Sequence, residues 1–263
     1  MSRARSVLTA LVAALLACTM SAACSSSKTN SGRSNSGHEI NGTIQVFAAA
    51  SLTEVFTDLG KQFEKDHPGT KVVFQFAASS ALATNINEGD KADVFASAAP
   101  GNMQSVVNAG NASDPKTFAK NEMEIAVPPN NPGHVDSLDD LAKSGVKVAL
   151  CQPQVPCGKT AQQVFTNAKM TVKPVTEQPD VKSTLQQVEN EGVDAGVVYV
   201  TDVKSAGAKV KGVEIPAEVN ASTTYPIAVI KSSANKTTAQ AWVAFVLSGT
   251  GQSALTAAGF LSP

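Results

Sequence analysis

The residues whose types and spacing suggest chemistry are hydroxyl and small side chains at the start of helical runs. Ala48-Ala49-Ala50-Ser51-Leu52-Thr53-Glu54 closes one apolar run and opens an amphipathic one, and Phe76-Ala77-Ala78-Ser79-Ser80 does the same after the next. Pro156-Cys157-Gly158-Lys159-Thr160 and Pro179-Asp180-Val181 mark further junctions in the second half. A helix N-terminus carries unpaired N–H groups and partial positive charge, so such a junction is either a capped helix end or a seat for an anion. Ser51 and Glu54 have the spacing of a capping box, which predicts a side-chain cap there. Recurrence of the pattern in both halves makes caps alone a less comfortable reading.

Other chemistries lack their residues. There is no GxSxG and no HExxH, and His38, His67 and His134 are far in sequence from every Cys. Gly249-Thr250-Gly251-Gln252-Ser253-Ala254 matches a dinucleotide fingerprint in letters only, because no strand follows it. Ser144-Gly145-Val146-Lys147 matches SxxK but leads into a strand. With no acid, base, nucleophile and metal set, the chain is expected not to be an enzyme and to use no cofactor. Cys151 and Cys157 bracket five residues; in an exported chain a disulfide is the first expectation and two free thiols the alternative.

These junctions need elements to position them. The 263 residues are 43% hydrophobic and 16% charged, which excludes disorder, collagen and a coiled coil and suits two lobes. Strands are expected over 43–48, 71–76 and 92–98, with helices following each near 52–63, 81–88 and 103–108. A polar stretch, 111–121, separates this series from a second, with strands at 123–127, 147–150 and 195–200 and helices at 159–168 and 181–191. A late strand at 225–230 and a helix at 238–247 complete one unit or the other. This alternation predicts parallel sheets covered by helices, with ligands at the carboxyl ends of the strands.

Charge and the N-terminus set the compartment. From Glu39 onward there is no Arg, and 17 Lys stand against 22 Asp and Glu, a net charge of −5. No nucleic-acid partner is expected from such a field. Arg3 and Arg5 precede an uncharged run to Ala23, the layout of an export signal over residues 1–23. Met20-Ser21-Ala22-Ala23-Cys24 resembles a bacterial lipobox, with Cys18 the competing site, and the polar tract behind Cys24 favours Cys24. Residues 24–39 read as a flexible, lipid-anchored linker on the outer face of the cytoplasmic membrane.

Phe47–Leu52 (FAAASL), Phe76–Leu82 (FAASSAL) and Ala92–Ala98 (ADVFASA) closely resemble the extracellular molybdate-binding proteins of ABC transporters. Val155–Ala161 (VPCGKTA), Asp180-Val181, Gly196–Val203 (GVVYVTDV) and Tyr225–Ile230 (YPIAVI) follow in that family's order, so the resemblance spans roughly 43–260. It implies the type II periplasmic-binding-protein fold, two α/β lobes with a ligand cleft between them: lobe I over 40–122 plus 224–263, lobe II over 123–223. It also implies capture of molybdate, with tungstate beside it, and delivery to the permease by a monomer; another tetrahedral oxyanion such as sulfate is the alternative. The implied donors are the hydroxyls of Ser51, Ser79 and Tyr199 and the backbone N–H groups of Cys157 and Val181, with Ser80 the register alternative to Ser79. The only metal implied is the one at the centre of that oxyanion. Cys157 stands where the family has Ala, so a bond to Cys151 would staple the binding loop. Neutral donors match a chain without Arg, because an anion enclosed away from water needs its oxygens hydrogen-bonded.

Overall fold

The computed structural model describes residues 39–263. The export signal, Cys18, Cys24 and the linker up to His38 lie outside the described residues. Among the described residues no helix is long and apolar enough to cross a membrane.

The apolar run after Ile40 forms β1 (Gly42–Ala49). Ile44, Val46 and Ala48 join one buried cluster and Phe47 another, so alternate side chains leave both faces of the strand covered. A single 3-10 turn, Ala50–Leu52, leads into α1 (Thr53–Asp66), which buries Val55, Phe56, Leu59 and Phe63 at helical spacing. Then follow β2 (Thr70–Ala77), α2 (Ser79–Glu88), β3 (Val94–Ala96) and α3 (Pro100–Asn108). β1 pairs in parallel with β2 and β3, as the strand–helix alternation requires.

β4 (Lys116–Val127) is longer than expected. Its first six residues fall in the stretch read as a polar separator, because Lys116, Thr117 and Lys120 outnumber the buried Phe118 and Ala119. The pairing that makes this segment a strand comes from far along the chain. After β4 come β5 (Val148–Cys151), α4 (Pro156–Asn167), β6 (Thr176–Gln178), α5 (Val181–Glu189), β7 (Ala195–Tyr199) and α6 (Val200–Ala206). β8 (Lys211–Val213), β9 (Ser222–Val229), α7 (Lys236–Leu247) and α8 (Gly249–Ala257) complete the chain.

The sheet order is β2-β1-β3-β9-β4-β7-β5-β6, with β8 also against β4. β4 runs antiparallel to β9 from Lys116 to Glu122 and then, from Met123, to β7 and β8. It thus leaves one half of the molecule and enters the other within a single strand. The second half has its own core, including Ile125, Val148, Val164, Leu185 and Val197. In the first half Trp242 of α7 stands edge-on to Phe56 and Phe63, at ring-centroid distances of 5.6 and 5.4 Å. The letters of the dinucleotide fingerprint have a packing reason: a Cβ on Gly251 would lie 2.3 Å from the Val246 carbonyl oxygen, so only glycine lets α8 turn back against α7.

Candidate functional site

The carboxyl ends of β1, β2 and β7 and the starts of four helical segments meet at one small cavity. It is lined by Ala49, Ala50, Ser51, Ala77, Ala78, Ser79 and Ala98 from the first half, and by Pro156, Cys157, Asp180, Val181 and Tyr199 from the second. All five residues expected from the sequence are therefore brought together, and Ser80 is absent from the lining. The alanines matter as much as the donors. Their short side chains let the two halves approach and leave room for something small.

Three of the four helix starts lack a side-chain cap. The N-cap positions are Ala49, Ala78 and Val155, none of which makes a side-chain capping bond. Alanine and valine are poor N-caps, and the usual cost of such a choice is roughly 1 kcal/mol per helix. First-turn N–H groups have no carbonyl within their own helix, so these positions keep donors available at the cavity. The capping box expected from Ser51 and Glu54 does not form, because Ser51 lies inside the 3-10 turn and bonds elsewhere. α5 is the exception: Asp180 accepts from Ser183 N at 2.8 Å and from Ser183 Oγ at 3.1 Å. Those bonds occupy the one carboxylate in the lining, and Val181 is the first residue of its helix.

The hydroxyls are arranged as donors. Ser79, fully buried, accepts the Ala98 N–H at 2.9 Å, which uses a lone pair of Oγ and leaves its proton. Tyr199 ends the wholly buried β7, and among the described residues its Oη makes no hydrogen bond of good geometry, the neighbouring Thr160 hydroxyl giving its own proton to the Pro156 carbonyl at 2.9 Å. Burial raises the Tyr199 phenol well above its ordinary pKa, with the nearby Asp202 adding to the shift, so at neutral pH it remains an O–H donor. No Lys or Arg lines the cavity. Among the described residues no three His, Cys, Asp or Glu side chains converge where they could hold a metal ion.

Cys151 at the end of β5 and Cys157 in the first turn of α4 form a disulfide, with their Cα atoms 5.8 Å apart. The loop folds back so closely that a Cβ on Gly158 would lie 2.0 Å from the Gln152 carbonyl oxygen. Glycine is required there if α4 is to begin against the bridged loop.

Sequence reasoning missed a polar layer behind the cavity. Tyr225 of β9 bonds Ser51 Oγ at 2.8 Å, and Asn121 of β4 donates to Thr201 Oγ1 at 2.8 Å and to Tyr225 Oη at 3.4 Å. It also missed an ion cluster at the rim, in which Lys182 Nζ lies 2.8 Å from Glu54 Oε2 and 3.1 Å from Asp202 Oδ1. One signal was available. The chain has only two tyrosines, both are essentially buried, and their rings meet edge to face at 6.3 Å beside the site.

Two α/β halves joined by crossing strands, with a small donor-lined cavity where their strand ends face each other, define a two-lobed solute-binding architecture. The chain belongs to the bacterial extracellular solute-binding proteins, whose family model matches residues 44–261. It is 40% identical over 222 residues to the molybdate-binding protein ModA of Mycobacterium tuberculosis, covering 84% of this chain and 85% of that one. The periplasmic molybdate-binding protein of Azotobacter vinelandii shares the fold with a TM-score of 0.75 at 24% identity, over 84% of this chain and 99% of that one. The sulfate-binding protein SubI of Mycobacterium tuberculosis shares it with a TM-score of 0.73 at 17% identity, over 84% and 86%.

Proposed function

We propose that this protein captures molybdate, and tungstate with it, outside the cytoplasmic membrane and hands it to the permease of an ABC transporter. The observation that carries the reading is the buried Tyr199 Oη, unpartnered at a cavity where three helix starts go uncapped. A buried donor without an acceptor costs free energy unless a ligand supplies one. Ser51, Ser79 and Tyr199 would donate through hydroxyls, and Cys157 and Val181 through backbone N–H groups. Donors of this kind suit a fully deprotonated tetrahedral dianion, which presents only acceptors. The relative 40% identical over 222 residues, itself named a molybdate-binding protein, supports molybdate over other anions of that shape.

The same reading places lobe I over 40–122 and 224–263 and lobe II over 123–223, with β4 crossing between Glu122 and Met123 where its partner changes from β9 to β7. The protein acts as a monomer, without cofactor or catalysis. A lipid on Cys24 keeps it at the outer face of the membrane through the linker. The test is titration calorimetry with molybdate, tungstate, sulfate and phosphate in parallel. Molybdate and tungstate should bind far more tightly than the other two. Sulfate binding as tight as molybdate would favour a sulfate carrier, and equal binding of phosphate would sink the reading.

A further inference from the structure

Ser51 is a donor to the bound anion only if its own proton is not spent elsewhere, and the groups behind it decide that. Asn121 is fully buried on β4, and its Oδ1 accepts the Glu122 N–H at 3.0 Å, which fixes which way the amide faces. Its Nδ2 therefore points at Thr201 Oγ1, 2.8 Å away, and at Tyr225 Oη, 3.4 Å away, and can only donate to both. Tyr225 Oη accepts from Asn121 and lies 2.8 Å from Ser51 Oγ. Distance alone leaves either oxygen of that pair as the donor. If Ser51 donated, the Tyr225 proton would be buried with no acceptor, and an unmade bond of that kind is costly. If Tyr225 donates, every group in the chain is satisfied and the Ser51 proton alone remains, at the wall of the cavity.

We propose that Asn121 and Tyr225 are positioning residues that set the direction of a hydrogen-bond chain, Asn121 to Tyr225 to Ser51, so that Ser51 presents a proton to the anion. This deepens the oxyanion reading and rests on it. The chain has a second consequence of place. Asn121 and Tyr225 sit on β4 and β9, and Asn121 also holds Thr201, two residues after Tyr199. The strands that join the halves thereby orient one donor, Ser51, and lie one hydrogen bond from the helix that follows the other, Tyr199.

The experiment is a pair of double-mutant cycles on the whole protein, with molybdate affinity measured by calorimetry and folding by melting temperature. Tyr225→Phe should weaken binding by ~5- to 20-fold in the parent but by less than about 2-fold when Ser51→Ala is already present, because its effect passes through Ser51. Asn121→Asp replaces the donor by an acceptor. The Tyr225 proton is then drawn to the carboxylate, Ser51 must give its own proton to Tyr225, and a lone pair faces the anion. Asn121→Asp should therefore cost more in the parent than in the Ser51→Ala background, where only the direct effect of the added charge remains. A purely structural role would lower melting temperature and affinity equally in both backgrounds, and that result in both cycles overturns the relay. If Tyr225→Phe fails to fold, the Asn121→Asp cycle decides by the same criterion. A parent protein that binds no molybdate would overturn the oxyanion reading and the relay together, whereas a parent that binds with additive cycles overturns the relay alone.

Discussion

Tyr199 Oη is buried and unpartnered, and the chain carries that defect at a position where phenylalanine would fill the same space. A hydroxyl kept under those terms belongs to a bound state. Tyr199→Phe should leave the melting temperature of the ligand-free protein unchanged or slightly higher, yet weaken molybdate binding by roughly 10- to 100-fold, the usual worth of one hydrogen bond to a charged partner. Ser51→Ala should lose a similar factor, and Ser79→Ala more than Ser80→Ala, since only Ser79 lines the cavity. Val181→Ala keeps the backbone N–H and should cost little. Parent-like affinity in both Ser51→Ala and Tyr199→Phe would remove the proposed site. Ser51 and Ser79 stood out in the sequence because small and hydroxyl residues at strand-to-helix junctions form a local pattern, whereas Tyr199 entered through the family resemblance of its GVVY segment. Tyr225, Asn121 and Thr201 were not legible, because their partners lie 80 to 174 residues away and no local spacing records such a contact.

At the scale of elements, α2 and α4 carry Ala78 and Val155 at their N-cap positions although serine or aspartate there would stabilise them. The cavity explains the choice: a capping side chain would compete with the ligand for the same N–H groups. Ala78→Ser supplies a cap to α2, so it should raise the melting temperature of the ligand-free protein while lowering molybdate affinity by roughly 5-fold. A change that raised both stability and affinity would show that the α2 amides do not face the anion. The same logic accounts for what sequence reading got wrong here. Ser51-x-x-Glu54 has the letters of a capping box, but the 3-10 turn over Ala50–Leu52 carries Ser51 inward to Tyr225 and leaves Glu54 to meet Lys182. The early strands and helices could be read from apolar spacing, which is local. The first half of β4 could not, because only its antiparallel pairing with β9, about a hundred residues later, makes that polar segment a strand.

For the whole molecule the question is what holds the two halves against each other, and the rim cluster is one answer that responds to pH. Lys182, the residue after Val181 in α5, bridges Glu54 of α1 to Asp202 of α6. Burial lowers the pKa of Lys182, but Asp202 and Glu54 more than offset it, so its ammonium stays charged. Asp202 is fully buried, and desolvation raises its carboxyl from the usual 3.8 to about 6 against the opposing pull of Lys182. A raised carboxyl pKa means that the folded state holds a proton the unfolded chain has already lost. The stabilisation from Asp202 is therefore complete below about pH 4 and is lost as the pH rises through about 6. Asp202→Asn keeps the shape and cannot titrate, so comparison with the parent isolates this group. The melting temperature of Asp202→Asn relative to the parent should be lowest at and below about pH 4, climb in the variant's favour between about pH 4 and 6, and level off above that. A relative melting temperature that falls over that interval would mean that the pair with Lys182 outweighs the desolvation of Asp202, and that the bridge strengthens with rising pH.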